Sequence, residues 1–510
     1  MKYIIKEYPE IKKIVANMTI EELICAVVCP DMADDKPAVY RNTSAVFFHP
    51  NNDEVLKERI GAVNNDRESP ALVVADVEEG AGFLESGTKF PSMRGCGEAD
   101  SEELAYEMGK ISALEAGRLG FNWGFGPCVD ILANPDNPIV GNRCPGDTTE
   151  QVIKIAGAVI DGMQENGLIA TAKHFPGDGY PIYDQHLTTP VNPLSKGEWM
   201  DSFGKIYAAL IERGVKTIMP GHISLPAFDE LDEEMGMYKP ATLSKNLLTG
   251  LLKEKLGFEG IIVSDAVNMG GFCGYTNYYR ACAEFLEAGG DVLLFSHPDE
   301  KFMAEMFRFI DEGILTIETL KNRAYRMLCF AKEHELSSKK PEIDYKKHQS
   351  VADDMAKRAV KIKRDRYNLL PYCIDKDTKI LFNIISEYGE TEFSQLLVSE
   401  LRNYTENVEV VCDIGPDATY KKICSQKYDI VICHVIPGGG YGTNVSKLCG
   451  PIARNMMGGW QKLGTPIIFI SSSNSFPFEY EAAADTIINP YGELLTSAKC
   501  AVKKIVEGDR

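Results

Sequence analysis

Asp184 and His186 stand two residues apart in TAKHFPGDGYPIYDQHLTTP (171–190), a stretch that leaves a strand-like run and passes through glycines and prolines. Such punctuation predicts an extended surface loop. A carboxylate that accepts a hydrogen bond from one imidazole nitrogen fixes the ring's tautomer and raises its basicity. The other nitrogen can then give and take a proton near neutral pH. A spacing of two is weak by itself, and an incidental D-x-H in a solvent-exposed loop reads the same. A second stretch, GFEGIIVSDAVNMGG (257–271), puts Asp265 just past an apolar run that ends at Ser264. A carboxylate there can act as a nucleophile, ligate a metal or cap a helix.

Both groups need a frame to bring them together. Apolar runs bounded by Gly, Pro or Asp recur at ICAVV (24–28), SAVFF (44–48), ALVVA (71–75), FNWGFG (121–126), LIATAK (168–173), VKTIM (215–219), GIIVS (260–264) and DVLLF (291–295). Runs this apolar suit strands buried on both faces of a parallel sheet. Helical stretches lie between them, such as SEELAYEMGKISALEAGRLG with Ser101 as its cap and TEQVIKIAGAVIDGMQENG stopping at Gly167. The alternation predicts an α/β fold, an N-terminal (β/α)8 TIM-type barrel over 1–335; a doubly wound sheet shares that alternation. Asp76, Asp130, the pair Lys173-His174, His222 and Asp265 follow or end these strands. In a barrel those ends share one mouth. Each alone reads equally well as a helix cap, but together they suit a polar, sugar-sized ligand.

After HELSSKKPEIDYKKHQ (334–349), poor in apolar residues, the pattern restarts. A linker and connecting helix are expected over 336–360. A smaller α/β layered, sandwich-type domain is expected over 361–510, with strands at KILFNII (379–385), VEVVC (408–412), DIVICHV (429–435), PIIFIS (466–471) and DTIIN (485–489) and a closing helix TSAKCAVKKIVEG. GGGYG (438–442) lacks the Lys-Ser/Thr of a phosphate loop and reads as a turn.

The net charge of −20 excludes nucleic acid and an anionic membrane surface as natural partners. No segment is apolar for the roughly 20 residues a membrane span needs, and the N-terminus does not resemble a signal peptide. The 14 cysteines are scattered, without paired C-x-x-C spacing, so no metal and a reduced, cytoplasmic setting are expected.

These stretches resemble bacterial two-domain β-N-acetylglucosaminidases of glycoside hydrolase family 3. VADVEEGAG (74–82), FGPCVDILANPDNPIVGNRCPG (125–146), KHFPGDG…DQH, IMPGHISLP (218–226), PATLS (240–244), GFEGIIVSDAVNMGG and PIIFISSSNSFPFEY with ADTIINPYGE follow in the family's order. The resemblance implies a retaining, two-step exo-glycosidase acting on terminal β-linked N-acetylglucosamine, through a covalent glycosyl-enzyme. Asp265 falls on the nucleophile and His186 on the acid/base, with Asp184 as its dyad partner. Asp76, Arg143, Lys173 and His174 fall on residues holding the sugar's hydroxyls, and Asp130 falls beside them. No cofactor is implied, because both steps use side chains and water. The implied partner is a small soluble glycan or muropeptide, and the implied state a monomer or homodimer. One departure stands out: the family reads G-H-G where this chain has Gly177-Asp178-Gly179. Alternatives are a phosphorylase using the same residues, a β-glucosidase or β-xylosidase, and a non-catalytic glycan-binding protein.

Overall fold

A computed structural model describes residues 1–32, 42–64, 71–335, 342–437, 448–472 and 483–508. GGGYG (438–442) lies outside the described residues, as does most of SSSNSFPFEY (471–480).

The chain is a mixed α/β structure with two groups of strands. In the first, short parallel strands alternate with helices: β1 (Val28–Cys29), β2 (Ala45–Phe47), β3 (Leu72–Asp76), β4 (Trp123–Phe125), β5 (Thr171–Phe175), β6 (Thr217–Pro220), β7 (Ile261–Ile262) and β8 (Leu293–Leu294). Their ladders fall into three sets, β2-β3-β4, β5-β6-β7 and β8-β1. Single parallel bridges lie between the sets, at Asp31↔Phe47, Trp123↔Ile169 and Val263↔Val292. The residues of these strands are buried almost throughout; only Asp76, at the end of β3, reaches solvent. A buried polar knot ties three of them: Trp123 Nε1 donates to Thr171 Oγ1 at 2.9 Å and to Thr217 Oγ1 at 3.1 Å.

The helices begin and end where capping chemistry directs. Ser101 caps Glu102–Leu119 by accepting from the Leu104 amide, and Gly120 in the left-handed region closes it. Thr148 caps Thr149–Glu165 in the same way. The expected strand ICAVV (24–28) is different. Its first three residues end the helix Ile20–Ala26, which a reciprocal Thr19/Glu22 capping box starts, and pairing is confined to Val28 and Cys29.

Tyr345–Ala359 is a helix capped by Asp344, and it packs back on the first group: His348 is buried with Nδ1 2.6 Å from Glu115. Beyond it, β9 (Lys361–Asp365), β10 (Ile380–Ser386), β11 (Val408–Cys412), β12 (Ile430–Ile436), β13 (Ile467–Ile470) and β14 (Thr486–Asn489) form one sheet in the order β9-β14-β13-β12-β10-β11. All pairings are parallel except β9 with β14. Alternation along β10 sends Ile380, Phe382 and Ile384 into one apolar cluster and Leu381 and Ile385 into another. This sheet is therefore buried on both faces, as its continuous apolar runs require. Among the described residues no helix is long and apolar enough to cross a membrane.

Candidate active site

The strand ends of the first group carry the charged residues, as expected for parallel α/β sheets. On β5, Lys173 is 4 % exposed, and its Nζ lies 3.1 Å from Asp76 Oδ1 and 2.6 Å from Glu78 Oε1. Arg143 closes on the same Glu78 as a fork, with Nε and Nη2 at 2.9 and 2.8 Å from the two oxygens. Burial pushes the Glu78 carboxyl up, but Arg143 and Lys173 outweigh it and hold it well below its ordinary value. Burial likewise works against charge on Lys173, and Glu78 with Asp76 more than restores it. The cations are thus fixed by Glu78, while the Asp76 side chain is 60 % exposed and able to receive hydroxyl groups.

The next residue, His174, is held from two sides by Asp130. The ring Nδ1 donates to Asp130 Oδ2 at 2.8 Å and the backbone amide to Oδ1 at 3.2 Å. The opposite ring atom, Nε2, lies 3.9 Å from Asp265 Oδ2. Asp130 is buried and also accepts the Asp178 amide at 2.8 Å. It therefore orients His174 from behind. Asp178 itself is fully buried, its Oδ1 accepting from Asn137 Nδ2 and Gly179 N, while its Oδ2 has no hydrogen-bond partner. Burial first, and Asp130 second, push its carboxyl up to about 6. The turn is tight enough to demand Gly179, at φ +106°, where a Cβ would sit 1.8 Å from the Ile131 carbonyl oxygen.

Asp265 follows β7 with its amide bonded to Pro220 O and its Oδ1 accepting the Ala266 amide at 2.8 Å. Burial raises its carboxyl, but His174, His222 and that amide lower it by more, leaving it below its ordinary value. The dyad is formed: His186 Nδ1 is 2.6 Å from Asp184 Oδ1, which also accepts the His186 amide at 2.8 Å. Asp184 is fully buried whereas the His186 side chain is 24 % exposed. The two loops are sewn together by backbone: Gly270 N donates to His186 O at 2.7 Å and Gly271 N to Gln185 O at 3.1 Å. A Cβ at Gly270 would meet Leu187 O at 2.4 Å, so the glycines of NMGG allow the Asp265 loop to approach the Asp184–His186 loop.

His222, also at a strand end, does not join this group. It is fully buried between Thr242 Oγ1 and Ala266 O, at 3.1 and 3.0 Å from its two nitrogens, and burial lowers its basicity. It supports the backbone beside Asp265. Among the described residues, Cys128, Asp130 and His174 bring ligand atoms within 4.8 Å of one another and could hold a cation. Burial keeps the Cys128 thiol protonated, and Asp130 and His174 are already bonded to each other, so the donor set favours the carboxylate–imidazole pair.

A cavity of about 670 Å³ opens from this rim toward the second sheet, bounded by Asp76, Glu78 and Arg143 on one side and Phe393, Ser472 and Glu493 on the other. Glu79 faces it too; enclosure by the walls first, and Glu78 second, push its carboxyl upward. The structure thus brings together Asp76, Arg143, Lys173, His174, Asp130 and Asp265, and forms the Asp184–His186 pair on a loop bonded to the Asp265 loop. Glu78 is the residue that sequence reasoning missed. Its signal was the second acidic residue in DVEEG, where two buried cations needed a partner.

The model of the glycosyl hydrolase family 3 N-terminal domain matches residues 45–330. A beta-N-acetylglucosaminidase/beta-glucosidase of Cellulomonas fimi is 36 % identical over 267 residues, covering 51 % of this chain and 47 % of that protein. The chain therefore spans about half the length of that relative. A beta-hexosaminidase of Glaesserella parasuis is 33 % identical over 248 residues, 48 % of this chain and 70 % of that one. Among solved structures, a beta-glucoside phosphorylase superposes with a TM-score of 0.88 at 26 % identity, covering 98 % of this chain and 94 % of its own. A family 3 beta-N-acetylglucosaminidase from Paenibacillus sp. shares the fold, with a TM-score of 0.82 at 21 % identity over 96 % and 97 % of the two chains. With more than half of its length matched by the family model and the charged strand ends gathered at one rim, the chain belongs to glycosyl hydrolase family 3.

Proposed function

We propose that the protein is a retaining exo-glycosidase that removes terminal β-linked N-acetylglucosamine from a small glycan. The observation that carries this reading is the Asp184–His186 pair on a loop bonded through its backbone to the Asp265 loop. In the first step an Asp265 oxygen forms a bond to the anomeric carbon while the bond from that carbon to the leaving oxygen breaks. His186 gives a proton to the departing oxygen through Nε2, because Nδ1 faces Asp184. In the second step water attacks the same carbon, returns a proton to His186 and releases Asp265. Asp76, Arg143, Lys173 and His174 hold the hydroxyls of the sugar, with Asp130 fixing His174.

Release of nitrophenol from the β-N-acetylglucosaminide and the β-glucoside tests the sugar. Faster turnover of the acetylglucosaminide supports the proposal; turnover of the glucoside alone sinks it. Phosphorolysis of a β-glucoside is the second reading, favoured by the full-length likeness to a beta-glucoside phosphorylase. Phosphate would then replace water in the second step, and a sugar phosphate formed only in phosphate buffer would establish it.

The same proposal includes the architecture. The eight parallel strands, with single bridges between their three ladders, support a (β/α)8 barrel over 1–335, joined through 336–360 to an α/β sandwich over 361–510. Fourteen free cysteines support a reducing, cytoplasmic location.

A further inference from the structure

The second sheet aims one polar side chain at the cavity through a buried hydrogen-bond chain. Ser472, buried at the end of β13, donates from Oγ to Glu493 Oε1 at 2.8 Å. Behind it stands His434 of β12, fully buried, with Nε2 3.4 Å from Ser472 Oγ and Nδ1 2.8 Å from Ser394 Oγ. Thr391 Oγ1 lies 3.0 Å from that same Ser394 Oγ.

The donors can be assigned from the end of the chain. A carboxylate only accepts, so the one hydrogen of Ser472 points at Glu493, and Ser472 Oγ must accept from His434 Nε2. Burial lowers His434 to about 3, so the ring is neutral and carries a single N–H. Its Nδ1 therefore accepts from Ser394, whose oxygen accepts in turn from Thr391. Every hydrogen runs toward Glu493. The neighbours of His434 along the strand, Ile432, Cys433 and Val435, are apolar and buried, so packing alone has no need of an imidazole here. Buried networks of this kind rigidify what they end on.

What they end on faces the rim across the cavity. Among the described residues its charged lining has five carboxylates, Asp76, Glu78, Glu79, Glu392 and Glu493, against the cations Lys89 and Arg143. Arg143 and Glu78 offset one another through their fork, which leaves Asp76, Glu79, Glu392 and Glu493 against Lys89. Phe393 adds an apolar wall and packs edge-on against the His434 ring, with centroids 5.6 Å apart. Carboxylates beside an aromatic face suit a hydroxyl-rich ring and repel a negative one.

We propose that Glu493, held by Ser472 and His434, is a specificity-determining residue: it accepts hydrogen bonds from the sugar on the leaving-group side of the bond that is cut, and the cavity admits a neutral or cationic sugar while rejecting an anionic one. Which bond is cut rests on the glycosidase reading; binding of the sugar does not.

The test measures affinities of the full-length protein for N-acetylglucosamine, glucosamine and glucuronate, in the wild type, Glu493→Gln, Ser472→Ala and the double variant. In parallel, kcat/KM for a β-linked disaccharide is divided by that for the nitrophenyl glycoside, whose leaving group lacks the sugar hydroxyls. The wild type should bind glucuronate weakest. Glu493→Gln should weaken glucosamine binding roughly tenfold and lower the disaccharide-to-nitrophenyl ratio by a similar factor. Ser472→Ala should shift both in the same direction, and the double variant should lose little beyond Glu493→Gln. The proposal is overturned if the wild type binds none of the three sugars, if the variants bind all three as the wild type does, or if both substrates lose turnover equally. Should the wild type cleave neither substrate yet show the expected affinities, the glycosidase reading falls and this one stands.

Discussion

Asp178 gives its backbone amide to Asp130 at 2.8 Å while keeping its own carboxyl buried beside the same group. Two acids thus share one desolvated corner behind His174, at the position where the resemblance leads one to expect a histidine. Asn137 and the Gly179 amide hold Asp178 Oδ1, which leaves Oδ2 without a hydrogen bond. Asp178 is therefore a support of the rim and stands away from the cavity.

Stability should report on that corner. The Asp178 carboxyl is raised from 3.8 to about 6 in the folded protein, so the folded state binds the extra proton. Stability from this group is complete below the unfolded value and is lost as pH rises through the folded one. Asp178→Asn keeps the Oδ1 acceptor and removes the titration. Its thermal stability relative to the wild type should rise between about pH 4 and about pH 7, by no more than about 3 kcal/mol. A difference that stays constant over that range would contradict the assignment.

Glu78 has the opposite sign. Its carboxyl is held well below its ordinary value by Arg143 and Lys173, so its stabilisation is present above the unfolded value and lost as pH falls through the folded one. Glu78→Gln leaves two cations with one exposed carboxylate between them. A loss of about 3–5 kcal/mol is expected near neutral pH, shrinking below about pH 4, with a raised KM. Denaturant unfolding at two pH values checks this, and a variant as stable as the wild type at neutral pH would refute it.

His186 should matter in proportion to how much help the leaving group needs. Replacing His186 by Ala should cost about 10²–10⁴-fold in kcat/KM for a disaccharide and much less for a nitrophenyl glycoside. Asp184→Asn keeps an acceptor for Nδ1 but removes the negative charge that stabilises the protonated ring, and should fall between the wild type and His186→Ala. Equal losses on both substrates would argue that His186 binds rather than transfers a proton.

Much of this was legible in the sequence where the signal is local. Apolar runs such as ALVVA and KILFNII mark strands buried on both faces, and Ser101 marks a helix start. ICAVV has the composition of a strand, but Thr19 and Glu22, three residues apart, start a helix whose end lies inside that run. Asp184 and His186 could be paired because only one residue separates them. The joining of Glu78 to Arg143, 65 residues later, left no such mark, nor did that of Asn137 to Asp178 across 41. The chain Ser394–His434–Ser472–Glu493 was hidden for the same reason: the parallel register of β12 with β13 sets His434 opposite Ile470, two residues before Ser472, while Ser394 and Glu493 come from a helix and from the segment after β14.

In the proposed reaction Asp265 forms the bond to the sugar. Mass analysis of the protein after incubation with a fluorinated sugar bearing an activated leaving group, in N-acetylglucosaminyl and glucosyl forms, tests it most directly. One fluorosugar should be gained by the wild type, mapping by proteolysis to the peptide that contains Asp265, and none by Asp265→Ala. A label on any other residue, or no label from a sugar whose leaving group the wild type releases, would contradict it.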